Sequence, residues 1–197
     1  DAIPGERWFP KETTFEEDIR TYWGDWGVSS EVEKLRAVLL RRPGKEVENF
    51  DAKANRFADV PVDVELMRRQ HDAVADIYRD YGVDVYYVEE QREDRPNAIF
   101  CRDLMFMTPE GAIVTRPGME ARRGEERYIA KALADIGVPI VRTVNGDGMF
   151  EGANAMWVDR KTVVISTGSR CNRSGFEQVE TELRLMGVTE IIHMQQP

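Results

Sequence analysis

Residues 100–118 read FCRDLMFMTPEGAIVTRPG, and residues 150–168 read FEGANAMWVDRKTVVISTG. Phe100-Cys101-Arg102-Asp103 opens an apolar strand, Ala112-Ile113-Val114-Thr115 forms a second, residues 122–133 carry a helical pattern, and Gly137-Val138-Pro139-Ile140-Val141 forms a third strand. The same order then returns. Phe150-Glu151-Gly152-Ala153 stands for the first strand, Val163-Val164-Ile165 for the second, residues 172–185 for the helix and Gly187-Val188 for the last strand. A fixed internal period marks a repeat architecture, here of β-β-α-β units. Each unit sets a carboxylate, Asp103 or Glu151, in the same local context. Around a common axis the two acids converge on one ligand.

Working outward, the hairpin of one unit turns at Thr108-Pro109-Glu110-Gly111 and that of the next at Asp159-Arg160-Lys161. Asn145-Gly146-Asp147-Gly148 joins them. Upstream, Leu35 to Leu40 reads as a buried strand stopped by Arg41-Arg42-Pro43-Gly44. Val64, Met67, His71, Val74, Ala75, Ile77 and Tyr78 recur at helical spacing, and Tyr81-Gly82 closes that helix before a strand over 83–88. Three units therefore span about 35–90, 97–143 and 149–193. Residues 46–63 form a long polar excursion anchored by Phe50, Phe57 and Pro61, of the kind that serves as a lid or binding loop. Residues 1–34, with Pro4, Pro10 and aromatics from Trp8 to Trp26 in no clean period, read as an N-terminal arm wrapped on the body. The open edge left by three units calls for a cap or further units, and favours self-association into a homo-oligomer.

With 197 residues, 42% apolar and 9% aromatic, the chain has ordinary globular composition. Its 27 basic against 36 acidic residues give a net charge of −9, which argues against a nucleic-acid binder. No apolar run reaches a membrane span, and the first residues lack the pattern of a secretory leader. Two cysteines are too few for a disulfide scaffold and suit a reducing cytoplasm. A first residue Asp1 and a last residue Pro197, just after Ile191-Ile192, suggest a piece of a longer protein.

Two acids at the ends of neighbouring strands can clamp a guanidinium through paired, charge-assisted hydrogen bonds. Alternatively Asp103 and Glu151 cap turns or pair with a nearby arginine such as Arg102. Thr167-Gly168-Ser169-Arg170-Cys171-Asn172 leads into a helix, where amides and the Arg170 fork suit a carboxylate; the alternative is Asn172 as a plain N-cap with Arg170 in solvent. Cys171, beside Arg170, is a nucleophile candidate. Cys101 reads as a small core residue, and His71 and His193 as structural. Neither a zinc spacing nor a phosphate-binding glycine pattern occurs, so no metal or cofactor is inferred.

Phe100-Cys101-Arg102-Asp103, Thr115-Arg116-Pro117-Gly118 with Arg122-Arg123-Gly124-Glu125, Phe150-Glu151-Gly152-Ala153-Asn154, and Gly168-Ser169-Arg170-Cys171-Asn172-Arg173-Ser174-Gly175 follow one another in this order. The set resembles the motifs of the guanidino-group-modifying enzymes: arginine deiminase, dimethylarginine dimethylaminohydrolase and the amidinotransferases. Arg42-Pro43-Gly44-Lys45-Glu46, Phe57-Ala58-Asp59-Val60-Pro61 and Gln70-His71-Asp72-Ala73 are similar to arginine deiminase. The resemblance implies a pentein fold, an α/β propeller of five β-β-α-β units of which three are present. It also implies attack of a cysteine thiolate on a guanidinium carbon, a histidine proton donor, no cofactor, and an arginine-like small-molecule substrate. By position, Asp103 binds the guanidinium and Glu151 orients the histidine or holds the guanidinium, both as catalytic acids. Arg170, with Arg116 or Arg123, meets the substrate carboxylate. The family's histidine and cysteine fall beyond Pro197, so these residues hold half a site. Hydrolysis is the leading expectation; amidino transfer, to which Asn154 points, and a non-catalytic binding protein of the same fold are the alternatives.

Overall fold

The computed structural model describes residues 10–48 and 62–196. Its elements run α1 (Phe15–Tyr22), β1 (Ala37–Leu40), α2 (Val64–Asp80), β2 (Asp84–Tyr87), α3 (Cys101–Leu104), β3 (Met105–Thr108), β4 (Gly111–Val114), α4 (Glu126–Asp135), β5 (Ile140–Thr143), β6 (Ala155–Asp159), β7 (Thr162–Thr167), α5 (Arg173–Leu185) and β8 (Glu190–Gln195). Single 3₁₀ turns cover Lys45–Val47, Pro96–Ile99, Glu120–Arg122 and Gly152–Asn154.

Two sheets share one topology. In β3-β4-β5 and in β6-β7-β8 the first pair is antiparallel, the second parallel, and a helix crosses between the parallel strands. These are the two β-β-α-β units read from the sequence. The first unit differs: among the described residues its sheet is the parallel pair β1-β2 alone, with one strand before its helix. The anchors Phe50, Phe57 and Pro61, and the arm residues Pro4 and Trp8, lie outside the described residues.

Each crossover helix ends alike. Gly82, Gly137 and Gly187 adopt φ of 72°, 83° and 85°, and the following valine amide reaches back to Tyr78, Leu133 and Leu183 at 3.0, 2.8 and 3.0 Å. This is the Schellman closure, whose left-handed residue favours glycine because it has no Cβ. The helix starts are set by side chains. Asp63 Oδ1 accepts from the Leu66 amide at 2.9 Å, and Asn172 Oδ1 from the Gly175 amide at 2.8 Å, each satisfying a donor that the helix itself leaves free.

Strand β4 lies buried along its whole length, and its alternation feeds two cores. Ile113 joins Phe106, Phe150, Trp157, Val163, Ile165, Val179 and Leu183, while Ala112 and Val114 join Leu104, Ile129, Leu133 and Val138. Side chains two apart share a face of a strand, so one strand serves both. Phe106 stacks on Trp157 at 5.7 Å and meets Phe150 edge-on at 6.5 Å, locking the second unit to the third. Trp157 Nε1 also donates to the Met107 carbonyl at 2.9 Å.

Several expectations need correction. Phe100 to Asp103 is not strand: Cys101 and Leu104 are buried at positions i and i+3 while Phe100 is 43% exposed, the pattern of one helical turn. Its counterpart at Gly152–Asn154 is likewise a turn, and both first strands start after it. The helix expected over 122–133 begins at Glu126, because residues 120–122 wind as 3₁₀ and Gly124 turns left-handed at φ 95°. The third strand of that unit begins at Ile140, beyond Pro139 and the left-handed Gly137, and the last strand of the next unit begins at Glu190, beyond the left-handed Gly187. The N-terminal region holds a helix that its aperiodic aromatics hid: Thr14 and Glu17 form a reciprocal capping box at the start of α1.

Candidate active site

Asp103 sits in the single turn of α3, and Glu151 immediately before the 3₁₀ turn 152–154. The chain leaving β4 brackets both. Thr115 donates from Oγ1 to the Asp103 carbonyl at 2.9 Å, and its amide donates to the Leu104 carbonyl at 3.1 Å. The next residue, Arg116, exchanges two backbone hydrogen bonds of 3.1 Å with Phe150, the neighbour of Glu151. From the other side, Asn172 holds Met149: Oδ1 accepts from its amide at 2.8 Å, and the Asn172 amide donates to its carbonyl at 3.1 Å. The two acid-bearing turns abut because Gly152 has no side chain. A Cβ there would stand 2.4 Å from the Arg102 carbonyl oxygen.

Each acid is met by an arginine. Arg122 Nη1 donates to Asp103 Oδ2 at 2.5 Å, and Arg122 Nε to Glu125 Oε2 at 2.9 Å. The remaining Arg122 nitrogen reaches the carbonyls of Asn97 and Phe100 at 3.2 and 3.4 Å. Arg170 Nη1 lies 3.1 and 3.0 Å from the two oxygens of Glu151. The arginine pairing that the sequence offered as the alternative is present at both acids, although the partner of Asp103 is Arg122 rather than Arg102. Arg102 turns to the Ala155 carbonyl at 2.7 Å and to Glu31. A third pair, Arg41 with Glu46, is buried in the first unit, with bonds of 3.0 and 2.9 Å. In each unit the chain between the strand that precedes the crossover helix and that helix thus carries an arginine held on a carboxylate.

The other arginines expected to meet a substrate are tied to the backbone. Arg116 Nη1 donates to the Gly148 carbonyl at 2.8 Å, and Arg123 Nε to the Pro117 carbonyl at 3.2 Å. Close packing of Gly118 on Ser169 and Arg170 brings the chain after β4 against the loop carrying Arg170. The N-cap reading of Asn172 is also realised.

The two acids on Arg122 differ in their surroundings. Asp103 Oδ2 is held by Arg122, while Oδ1 accepts no hydrogen bond among the described residues. Glu125 is fully buried and its Oε1 has no partner; burial pushes its carboxyl up to about 7, against the pull of the Arg122 and Arg95 guanidiniums. Burial tells against Cys171 as a nucleophile: it is wholly buried in the core around Phe150, which pushes its thiol up to about 11. Cys101 is the expected core residue, its thiol pushed up to about 12 by the same cause. His193 bonds Thr167 at 2.8 Å and packs on Phe176, and His71 lies against Tyr87 with its pKa lowered by burial. Among the described residues no cluster of three or more His, Cys, Asp or Glu is set to hold a metal ion, and no helix is long and apolar enough to cross a membrane.

Arg122 and Glu125 escaped the sequence reading as site residues. Both stand in the motif after Pro117, but the signal that singles them out is the burial of opposite charges three residues apart, which spacing alone leaves as an ordinary surface pair.

The chain is similar to known proteins in sequence and in fold. The family model for eukaryotic N,N dimethylarginine dimethylhydrolase matches residues 45–196. The dimethylarginine dimethylaminohydrolase of Streptomyces coelicolor is 25% identical over 166 residues, covering 81% of this chain and 62% of the relative. The Pseudomonas aeruginosa dimethylarginine dimethylaminohydrolase, solved with citrulline, superposes with a TM-score of 0.68 at 23% identity over 83% of this chain and 62% of that one. The N-terminal domain of a cyanobacterial arginine dihydrolase superposes with a TM-score of 0.67 at 16% identity, over 83% and 59%. The chain thus spans about three-fifths of the length of these relatives.

Proposed function

The chain belongs to the N,N dimethylarginine dimethylhydrolase family, and on that premise we propose that the protein containing it hydrolyses a C–N bond in the guanidino group of arginine or an N-methylated arginine. Asp103 receives the guanidinium on its unengaged Oδ1. Glu151, fixed by Arg170, lies across the Thr115-Arg116 bracket and orients the proton donor or a second edge of the guest. Arg170, which keeps a partly exposed guanidinium, meets the substrate carboxylate; Arg116 and Arg123 shape the loops around it.

The reaction calls for a thiolate that attacks the guanidinium carbon, expelling ammonia or an alkylamine once a proton is delivered, and for water that releases the ureido product. Neither buried cysteine suits that step, so the nucleophile and its acid belong to residues other than these. The acids described here stabilise the cation and the charge that develops on it. Residues 35–197 are read as units of a five-unit α/β propeller, with 1–34 as an arm, a reading supported by the common topology of the two complete sheets. The free thiols fit a reducing cytoplasm.

The observation that carries this reading is the half-occupied Asp103 carboxylate, one oxygen on Arg122 and the other open. The test is incubation of the full-length protein with arginine and its methylated derivatives, assaying ammonia, alkylamine and ureido product. Absence of product from every guanidino compound, with folded protein, refutes it. A new guanidino product on adding glycine moves the assignment to amidino transfer.

A further inference from the structure

We infer that Glu125, acting through Arg122, supplies the net negative charge that lets Asp103 accept a guanidinium. This rests on the reading of Asp103 given above and deepens it.

Asp103 alone is an awkward cation receptor, because a nearly buried arginine already sits on it. Arg122 is 5% exposed at its side chain and donates to Asp103 Oδ2 at 2.5 Å. A carboxylate paired to one guanidinium is neutral as a unit and has little attraction for a second. Glu125 changes that count. Its Oε2 takes the Arg122 Nε hydrogen at 2.9 Å, whereas Asp103 is met by Nη1. Two carboxylates around one guanidinium leave one net negative charge, matched to one cationic guest.

The geometry also directs where that charge is felt. Glu125 is completely buried, so water does not screen it, and its Oε1 meets no donor. Asp103 Oδ1 accepts no hydrogen bond among the described residues and belongs to a side chain that is partly exposed, so it is the atom of the cluster left for a guest. Glu125 therefore touches nothing that reacts; it is a positioning residue that sets the charge of the group that does.

The groups facing Glu125 are few. They are Arg122 on the same loop, Arg95 ahead of the 3₁₀ turn 96–99, Cys101 on α3, and its neighbour Glu126 on α4. Arg95 shares Asp94, at 2.9 Å, with Arg92, which holds both oxygens of that acid, and spends its Nε on the Arg123 carbonyl at 3.0 Å; it makes no hydrogen bond to Asp103, Arg122 or Glu125 and acts on the cluster only through its charge. Burial holds the Glu125 proton up to about pH 7, which places the change of cluster charge in an accessible range.

The test uses the full-length protein and two ligands of one shape and different charge, L-arginine and its neutral ureido isostere, with binding measured by calorimetry from pH 6 to 8.5. In the wild type, the preference for the cation should grow as Glu125 ionises. In Glu125→Gln, which keeps size and one acceptor, the preference should fall about tenfold at pH 8 and become flat with pH, a magnitude set by one charge removed at short range from a partly screened site. A merely structural role would weaken both ligands alike, and an unchanged ratio in the folded variant refutes the inference. Should Glu125→Gln not fold, the wild-type ratio alone decides: a flat profile refutes it. Wild-type protein that binds neither ligand overturns the guanidino assignment, and this inference with it; wild-type binding with an unchanged Glu125→Gln ratio overturns this inference alone.

Discussion

Gly152 lies so close to Met105 that a Cβ added to the glycine would stand 2.1 Å from the Met105 carbonyl oxygen. The contact sets the turn after Glu151 directly on the turn that carries Asp103. Gly152→Ala must push these segments apart. It should cost about 1–3 kcal/mol of stability, the usual penalty for overpacking, read as a lower urea midpoint. Loss of guanidino-ligand affinity in the protein that still folds should accompany it. An alanine variant of unchanged midpoint would mean that the two turns are not in contact.

Asp103→Asn removes the charge while keeping the shape. Affinity for a cationic guanidino ligand should fall at least about tenfold, since a charge-assisted bond is roughly twice as strong as a neutral one. In kinetics the loss should appear in both KM and kcat, because the proposed role of Asp103 holds the cation in the ground state and in the transition state. An effect confined to kcat would assign Asp103 to proton transfer.

Arg170→Ala strips the cation from Glu151, whose side chain is 5% exposed. About 1–3 kcal/mol of stability should be lost, the cost of a buried charged acceptor left unsatisfied. The double variant with Glu151→Gln should recover much of it, and a double-mutant cycle measures that coupling. If Arg170 also grips the substrate carboxylate, KM in the full-length enzyme rises more than kcat falls.

Stability should carry the mark of Glu125. Its carboxyl titrates near 4.5 when unfolded and is raised to about 7 by burial in the fold. Between those values the folded state holds a proton that the unfolded chain has released, so its contribution to stability falls as pH rises through that window. Glu125→Gln should flatten that part of the curve of urea midpoint against pH. A wild-type profile without such a decline would place the carboxyl in its ordinary range.

Neither thiol should react with a disulfide reagent at pH 7.5 while the protein is folded, and both should react in denaturant, since both are buried with raised pKa values. Rapid labelling of Cys171 in the native state would restore it as a nucleophile candidate.

The units were legible because their punctuation is local. Asn172 at a helix start, Gly82 at a helix end and the Pro109-Glu110 turn each act over a few residues and need no knowledge of what packs where. What was missed is long-range or too short to show a period. Four residues from Cys101 to Leu104 carry an i, i+3 pair that fits one helical turn and, read without its surroundings, also a strand. The partner of Asp103 lies 19 residues away at Arg122, whereas the adjacent Arg102 offered itself first on spacing alone. Cys171 looked activated beside Arg170 because nothing local reveals that Phe150, Val179 and Leu183 close over it.

Thr115 grips the turn of Asp103 and Arg116 grips Phe150, the neighbour of Glu151, so a single peptide link is the ruler between the two acids. Rotamer choice and loop sway elsewhere leave that ruler unchanged. On the proposed reading, a receptor gauged in this way would discriminate its guests by the width of a planar head group rather than by the length of what trails behind it, and variation in the surrounding loops would alter the tail that is tolerated without recalibrating the grip.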